Sequence, residues 1–184
     1  VMKISEEIKI PLEYYEGVLE DVEPIISSLK GPAPDIFISR GGTATKISRV
    51  SDIPVVPMNT GPLDLLECCD EARQFSTHII LTSFGKPFIG TALLEKVLGI
   101  AITPLVFHSM PELRRKIEHL VGETDCCVVG GGPSVTYATE LGIPSVFLRT
   151  NEETVKEALL RAKELADLRQ NQKRHSSRLS AILN

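Results

Sequence analysis

The chain contains one stretch of sequence twice. Asp35 to Ala72 lies on Asp125 to Ala162 without a gap, at an offset of 90. Asp35, Gly41, Gly42, Ile53, Pro54, Val56, Thr60, Glu67 and Ala72 meet their own residue types at Asp125, Gly131, Gly132, Ile143, Pro144, Val146, Thr150, Glu157 and Ala162. A repeat of that length means that one supersecondary unit is used twice. Two copies of an α/β unit make two lobes, and a cleft between lobes is the first place to seek a ligand.

Length and composition allow this. A chain of 184 residues suits one domain or two small lobes. Hydrophobic residues at 42% and charged residues at 24% are ordinary for a globular protein. A net charge of -4 gives no basic footprint, so direct nucleic-acid binding is not expected. No apolar run reaches the ~18 residues of a membrane helix, and the first residues do not form a signal peptide. The expectation is a cytoplasmic protein with no membrane partner.

Along the chain, short apolar runs alternate with amphipathic helical patterns. The strands are expected at 7–12, 35–39, 54–58, 78–84, 102–107, 125–129 and 145–148. The helices are expected at 17–29, 44–49, 62–75, 89–98, 111–121, 135–141 and from Glu152 onward. Such alternation predicts parallel sheets with helices on both faces. The reading is α/β, a tandem duplication of two Rossmann-like lobes with parallel sheets of about four strands. The first lobe, residues 1–75, shows three strands and lacks its first strand and helix. The second lobe is residues 76–150. A long C-terminal helix follows, with 151–168 packing back on a lobe and 169–184 as a helical linker to an absent downstream module. Leu165, Leu168, Gln172, His175, Leu179 and Ile182 are spaced 3, 4, 3, 4, 3, a coiled-coil seam that points to a homodimer.

The chemistry-bearing residues gather at expected strand ends. Ser39, Arg40, Gly41, Gly42 and Thr43 follow one strand, and Gly131, Gly132, Pro133 and Ser134 follow its repeat. Glycine lets a backbone approach a ligand, and the first N–H groups of a helix attract an anion. Arginine grips a carboxylate or phosphate with two parallel hydrogen bonds. Thr60, Arg149 and Thr150 sit at equivalent ends, as do Ser83, Phe84 and Lys86. Together they are candidate ligand-binding residues for a small anion. A bland reading stands beside this one: tight turns with solvated charges. Neither loop is a nucleotide fingerprint, because G-x-x-x-x-G-K-[ST] and G-x-G-x-x-G are both absent.

No catalytic set is visible. There is no G-x-S-x-G elbow, no H-E-x-x-H and no C-x-x-C. Cys68-Cys69 and Cys126-Cys127 read as reduced, buried thiols rather than a redox or metal site. No metal, cofactor or catalytic residue is expected.

Three segments carry a resemblance: I-S-R-G-G-T-A (Ile38 to Ala44), I-P-V-V (Ile53 to Val56) and D-L-L-E-C-C-D-E-A (Asp64 to Ala72). They resemble the N-terminal receptor domain of sigma-54-dependent activators of the propionate-catabolism regulator type. The likeness runs from about Ile8 to Leu168, and E-E-T-V-K-E-A-L-L-R-A-K-E-L-A in the second half shares it. R-L-S-A-I-L-N (Arg178 to Asn184) resembles the run-in to a downstream module. The resemblance implies tandem lobes of chelatase-like or periplasmic-binding-like architecture, and a two-component-like sensor role. It also implies a small-molecule effector bound between the lobes, a tricarboxylate in the propionate case, which relieves restraint on a downstream AAA+ ATPase domain. Two other functions stay open: a two-lobed enzyme of chelatase, isomerase or racemase type, and a dimerisation module with a vestigial cleft.

Overall fold

The computed structural model describes residues 1–120 and 125–183, and for 173 and 176–183 the backbone alone. Among these residues the first elements are α1 (Met2–Glu7), α2 (Val22–Ser28), β1 (Phe37–Arg40), α3 (Gly41–Val50), β2 (Val55–Met58), α4 (Pro62–Ala72) and β3 (His78–Phe84). Then follow α5 (Thr91–Leu98), β4 (Ala101–Phe107), α6 (Met110–Glu118), β5 (Cys127–Gly130), α7 (Gly132–Glu140), β6 (Ser145–Phe147) and α8 (Glu152–Leu183). A 3₁₀ turn, Leu19–Asp21, precedes α2. Val121, expected in a helix, and Asn184, in the expected run-in, lie outside the described residues, as do the side chains of Leu179 and Ile182.

The repeat survives into the fold. At the same offset, β1, α3, β2 and α4 correspond to β5, α7, β6 and the start of α8. The chain divides into two units, one of Val1–Asn59 with the segment from Glu152 onward, the other of Thr60–Asn151. The boundary expected from sequence falls after Phe75, and the helix after Glu152 is expected to pack on a lobe without that lobe being specified. The difference has a simple cause: α4 packs on β5 and β6, whereas α8 packs on β1 and β2. Each repeat thus ends in a helix that belongs to the other unit.

In the first unit β1 and β2 form a two-stranded parallel sheet, Ile38 opposite Val56 and Arg40 opposite Met58. The apolar stripe of α8 covers it. Ala158 and Ala162 pack with Val56, and Val155 and Leu159 with Ile4, Ile38 and Met58. Farther along α8, Arg169 donates to the Asp35 carbonyl (3.0 Å), and the Gln170 amide donates to the Asp35 carboxylate (3.0 Å). The helix is therefore anchored to its sheet beyond Leu168. The strand expected at 7–12 is not formed. The N–H groups of Ile8, Lys9 and Ile10 bond back to carbonyls of α1, and Lys9 takes a positive φ of 56°. Ile8, Ile10 and Leu12 still bury apolar surface against Ile4, Val155 and Leu159, without a ladder.

In the second unit four parallel strands run in the order β4-β3-β5-β6. The central strands are covered on both faces, which explains their unbroken apolar runs. Ile79, Leu81, Cys127 and Val129 face Leu65, Cys68, Cys69, Ala72 and Leu94 of α4 and α5. Ile80, Cys126 and Val128 face Leu113, Ile117 and Ala138 of α6 and α7. Gly99 ends α5 in the left-handed region (φ 66°), where glycine is the usual helix stop.

Candidate functional site

Parallel strands place all their C-terminal ends on one edge. In the second unit those ends are Phe84, Phe107, Gly130 and Phe147. From β3 the chain leads through α5 to the neighbour β4, and from β5 through α7 to β6 on the opposite side. The strand order reverses between β3 and β5. In open parallel sheets, ligands bind beyond the strand ends at such a reversal. Of the sequence candidates, this edge collects Ser83, Phe84 and Lys86 after β3, and Gly131, Gly132, Pro133 and Ser134 after β5.

The edge is held by one tight junction. A Cβ on Gly130 would fall 1.9 Å from Thr82 Oγ1 and 2.8 Å from the Ser134 Cβ, so only glycine lets β5 and α7 approach β3 here. Thr82 Oγ1 and Ser134 Oγ share a buried hydrogen bond of 2.8 Å. Ser134 is 1% exposed, so its hydroxyl fixes α7 against β3 rather than facing outward. Gly131 and Gly132 are different: nothing lies within 4 Å of where their Cβ atoms would be. Their backbone is open to a close approach at the N-terminal end of α7, where N–H groups carry partial positive charge. Ser83 is 6% exposed, and among the described residues its Oγ has no hydrogen-bond partner. Native structures rarely leave a buried hydroxyl unpaired, so such an atom calls for an explanation. Phe84 stacks edge-on against Phe107 (5.6 Å), Gly85 turns with φ 76°, and Lys86 is exposed.

A second cluster closes the same unit. Asp64, 1% exposed, accepts the N–H of Gly61 at Oδ2 (2.7 Å) and the N–H of Asn151 at Oδ1 (2.8 Å). One carboxylate thereby ties the segment that enters the unit to the segment that leaves it for α8. Thr60 is half-buried beside it in sequence, and Thr150 Oγ1 is buried without a partner among the described residues. Arg149 pairs with Glu71, which raises its already high pKa. Local sequence places Asp64 near the start of the helix expected at 62–75 and says no more of it. The N–H of Gly61 follows from the usual side-chain reach back to a cap, but Asn151 is 87 residues distant and left no local signal.

In the first unit, Ser39, Arg40, Gly41, Gly42 and Thr43 do form one turn at the end of β1 and the start of α3. Arg40 has extended backbone and caps α3, and Gly41 is left-handed (φ 47°). Its repeat partner Gly131 has φ -70°, so the two glycine turns share a sequence but not a backbone path.

The cysteines are placed otherwise. All four are free and buried. Burial pushes the Cys69 thiol up to about 11 and Cys127 up to about 12, and it raises Cys68 as well. Such thiols are poor nucleophiles. Cys68 lies within α4, and Cys126 immediately before β5, so neither is at a strand C-terminus. Among the described residues no three His, Cys, Asp or Glu side chains gather as metal ligands would, and no helix is long and apolar enough to cross a membrane.

These features define a two-unit α/β domain of parallel sheets, with an open glycine turn at a strand-order reversal and a long helix leaving its core. The family model described as propionate catabolism activator matches residues 7–172, and the chain belongs to that family. It is a regulatory, sensing domain of a transcriptional activator. An NtrC family transcriptional regulator from Clostridium acetobutylicum has the same fold, with TM-score 0.78 and 22% identity over 91% of this chain and 89% of that one. A ligand-free, open substrate binding protein with adhesive properties from Clostridium difficile is far more distant, at TM-score 0.34 and 13% identity over 79% and 66%. The comparison with curated proteins gave no match.

Proposed function

We propose that this domain senses a small anionic metabolite and passes the signal through α8 to a downstream ATPase module. The effector is received at the C-terminal edge of the four-stranded sheet. Its negative charge meets the backbone of Gly131 and Gly132 at the start of α7, with Lys86 adding positive charge. Ser83 supplies a hydrogen bond that its hydroxyl otherwise lacks. Arg40 and its turn are the corresponding binding element of the first unit. The observation that carries this reading is the coincidence of three features at one strand reversal: open glycines, a helix N-terminus and a buried hydroxyl without a partner.

The route outward is short. β6 ends at Phe147, and only Leu148 to Asn151 separate it from α8. Asn151 is held by Asp64, so a change at the strand edge meets a fixed point where α8 begins. A ligand shifts such an equilibrium only by its differential affinity for the two states. The resemblance to propionate-catabolism regulators makes carboxylates, tricarboxylates first, the natural probes.

The test is a thermal-shift screen of di- and tricarboxylates. At a hundred times its Kd an effector stabilises by about 2.7 kcal/mol, or roughly 5–10 °C for a domain of this size. Ser83→Ala and Lys86→Ala should each weaken that shift while leaving the unliganded Tm nearly unchanged. Arg40→Ala tests the first unit in the same way. A full shift in all three variants would place the effector elsewhere.

A further inference from the structure

The repeat reaches farther back than its matching residue types. At the offset of 90, α5 falls on α1, and α6 falls on the 3₁₀ turn and α2. The core beneath α4 and α5 carries across position by position. Leu94, Leu98, Ile100 and Ile102 return as Ile4, Ile8, Ile10 and Leu12, all packed in the core of the first unit. Leu65, Cys68, Cys69 and Ala72 of α4 return as Val155, Ala158, Leu159 and Ala162 of α8. Val146 and Leu148 return as Val56 and Met58. Cys127 and Val129 return one residue out of step, as Ile36 and Ile38. The strand pairing is out of step by the same residue: Phe37 lies opposite Val55, whereas Val128 lies opposite Ser145. Two buried members of this core are left without a counterpart among the described residues, Ile79 and Leu81, and both belong to β3.

The backbone shows the same gap. Among the described residues β1 has β2 on one edge and no strand on the other. Alternate residues of a parallel strand turn their N–H and C=O groups to opposite edges. Phe37 donates to the Pro54 carbonyl on the β2 side, so Ile38 turns to the open edge. β1 is half-buried along its whole length, whereas β5, with β3 beside it, is buried along its whole length. Residues 11–17, where the copy of β4 falls, join no sheet. β4 itself pairs with β3 alone, so a copy of β4 without a copy of β3 has no neighbour.

We propose that the open edge of β1 accepts one parallel strand of the β3 kind, supplied by the polypeptide leading into α1. The strand completes a four-stranded sheet in the order 11–17, added strand, β1, β2. Backbone pairing holds it, as in other cases of strand addition. Two aliphatic side chains, at the places of Ile79 and Leu81, fill the space among Ile4, Ile38 and Leu159. Gly85 to Gly90 join β3 to α5, and a link of that length suffices here. The helix that the sequence reading counted as lacking is then present as α1, and only the strand is supplied from upstream.

The test extends the chain by a second copy of its own residues 75–90, placed directly before Val1. At the offset of 90 this sets the added strand in register. The extended chain should melt about 5 °C or more above the chain without it. Exchange of the Ile38 N–H should slow on the order of 100-fold, and residues 11–17 should gain protection. Ile80→Pro in the added copy alone should abolish both effects, because proline removes a ladder donor and the native β3 is untouched. Unchanged Tm and Ile38 exchange in the extended chain would overturn the proposal. So would a gain that survives Ile80→Pro, or one that rises with protein concentration as pairing between copies would. None of these readouts uses the effector, so failure here is separable from failure of the sensing site.

Discussion

Asp64→Ala should cost the second unit about 2–4 kcal/mol, although Asp64 touches no sequence-predicted ligand residue through its side chain. The carboxylate is 1% exposed and accepts two backbone N–H groups at 2.7 and 2.8 Å. A hydrogen bond to a charged group contributes about 1.5–3 kcal/mol net, so the two together approach 3–6 kcal/mol. Removing a buried carboxylate recovers part of its desolvation penalty, which brings the net loss down to the stated range. Asp64→Asn separates shape from charge. It keeps one acceptor oxygen, but its amide turns a donor toward the other N–H, so it should still lose about 1.5–3 kcal/mol. Urea unfolding is the assay. The chain has no tryptophan, and Tyr137 on α7, with Arg114 over its ring at 5.5 Å, reports the second unit. Tyrosine fluorescence and far-ultraviolet circular dichroism should be followed together, since two units need not unfold as one. If Asp64→Asn stays within about 0.5 kcal/mol of the wild type, the carboxylate is not the clasp described and Asn151 is not the fixed point at which α8 begins.

Gly130→Ala should cost about 1–3 kcal/mol, the usual penalty for overpacking, because its methyl group would fall 1.9 Å from Thr82 Oγ1. Adding Thr82→Ala should give a double variant that is less than additive by denaturant unfolding. Glu112 should matter in acid. Its carboxyl is held down to about 2, from 4.5, by the hydrogen bond from Lys116 first and the N–H of His108 second. Its stabilisation is thus present above 4.5 and lost as pH falls through about 2. Glu112→Gln should lower Tm at pH 6, and the gap from the wild type should close toward pH 2. The four thiols should resist iodoacetamide at pH 8 in the native protein and all react in urea. Rapid native labelling of Cys69 or Cys127 would contradict their burial.

The repeat made most of this fold legible, because it fixes what each segment is without saying where it packs. Periodicity showed that α4 and α8 each bury an apolar stripe, and both do. A stripe does not name the sheet it covers, so the exchange of these helices between units was invisible. The strand expected at 7–12 failed for a related reason. Ile8, Ile10 and Leu12 alternate correctly and are packed, but a strand also needs a neighbour for its N–H groups, and here α1 supplies the acceptors. The same limit applies to the candidate site. Glycines and a serine at strand ends could be read locally, since turn and strand chemistry is local. Ser134 and Asp64 could not, because what each does is decided by Thr82 and Asn151, tens of residues away. Two residues of equal polarity therefore part company. The Ser134 hydroxyl is committed to holding α7 in place, and the Ser83 hydroxyl remains uncommitted at the edge. The pair makes a direct comparison, because Ser134→Ala should lower stability before it touches binding, and Ser83→Ala should do the reverse.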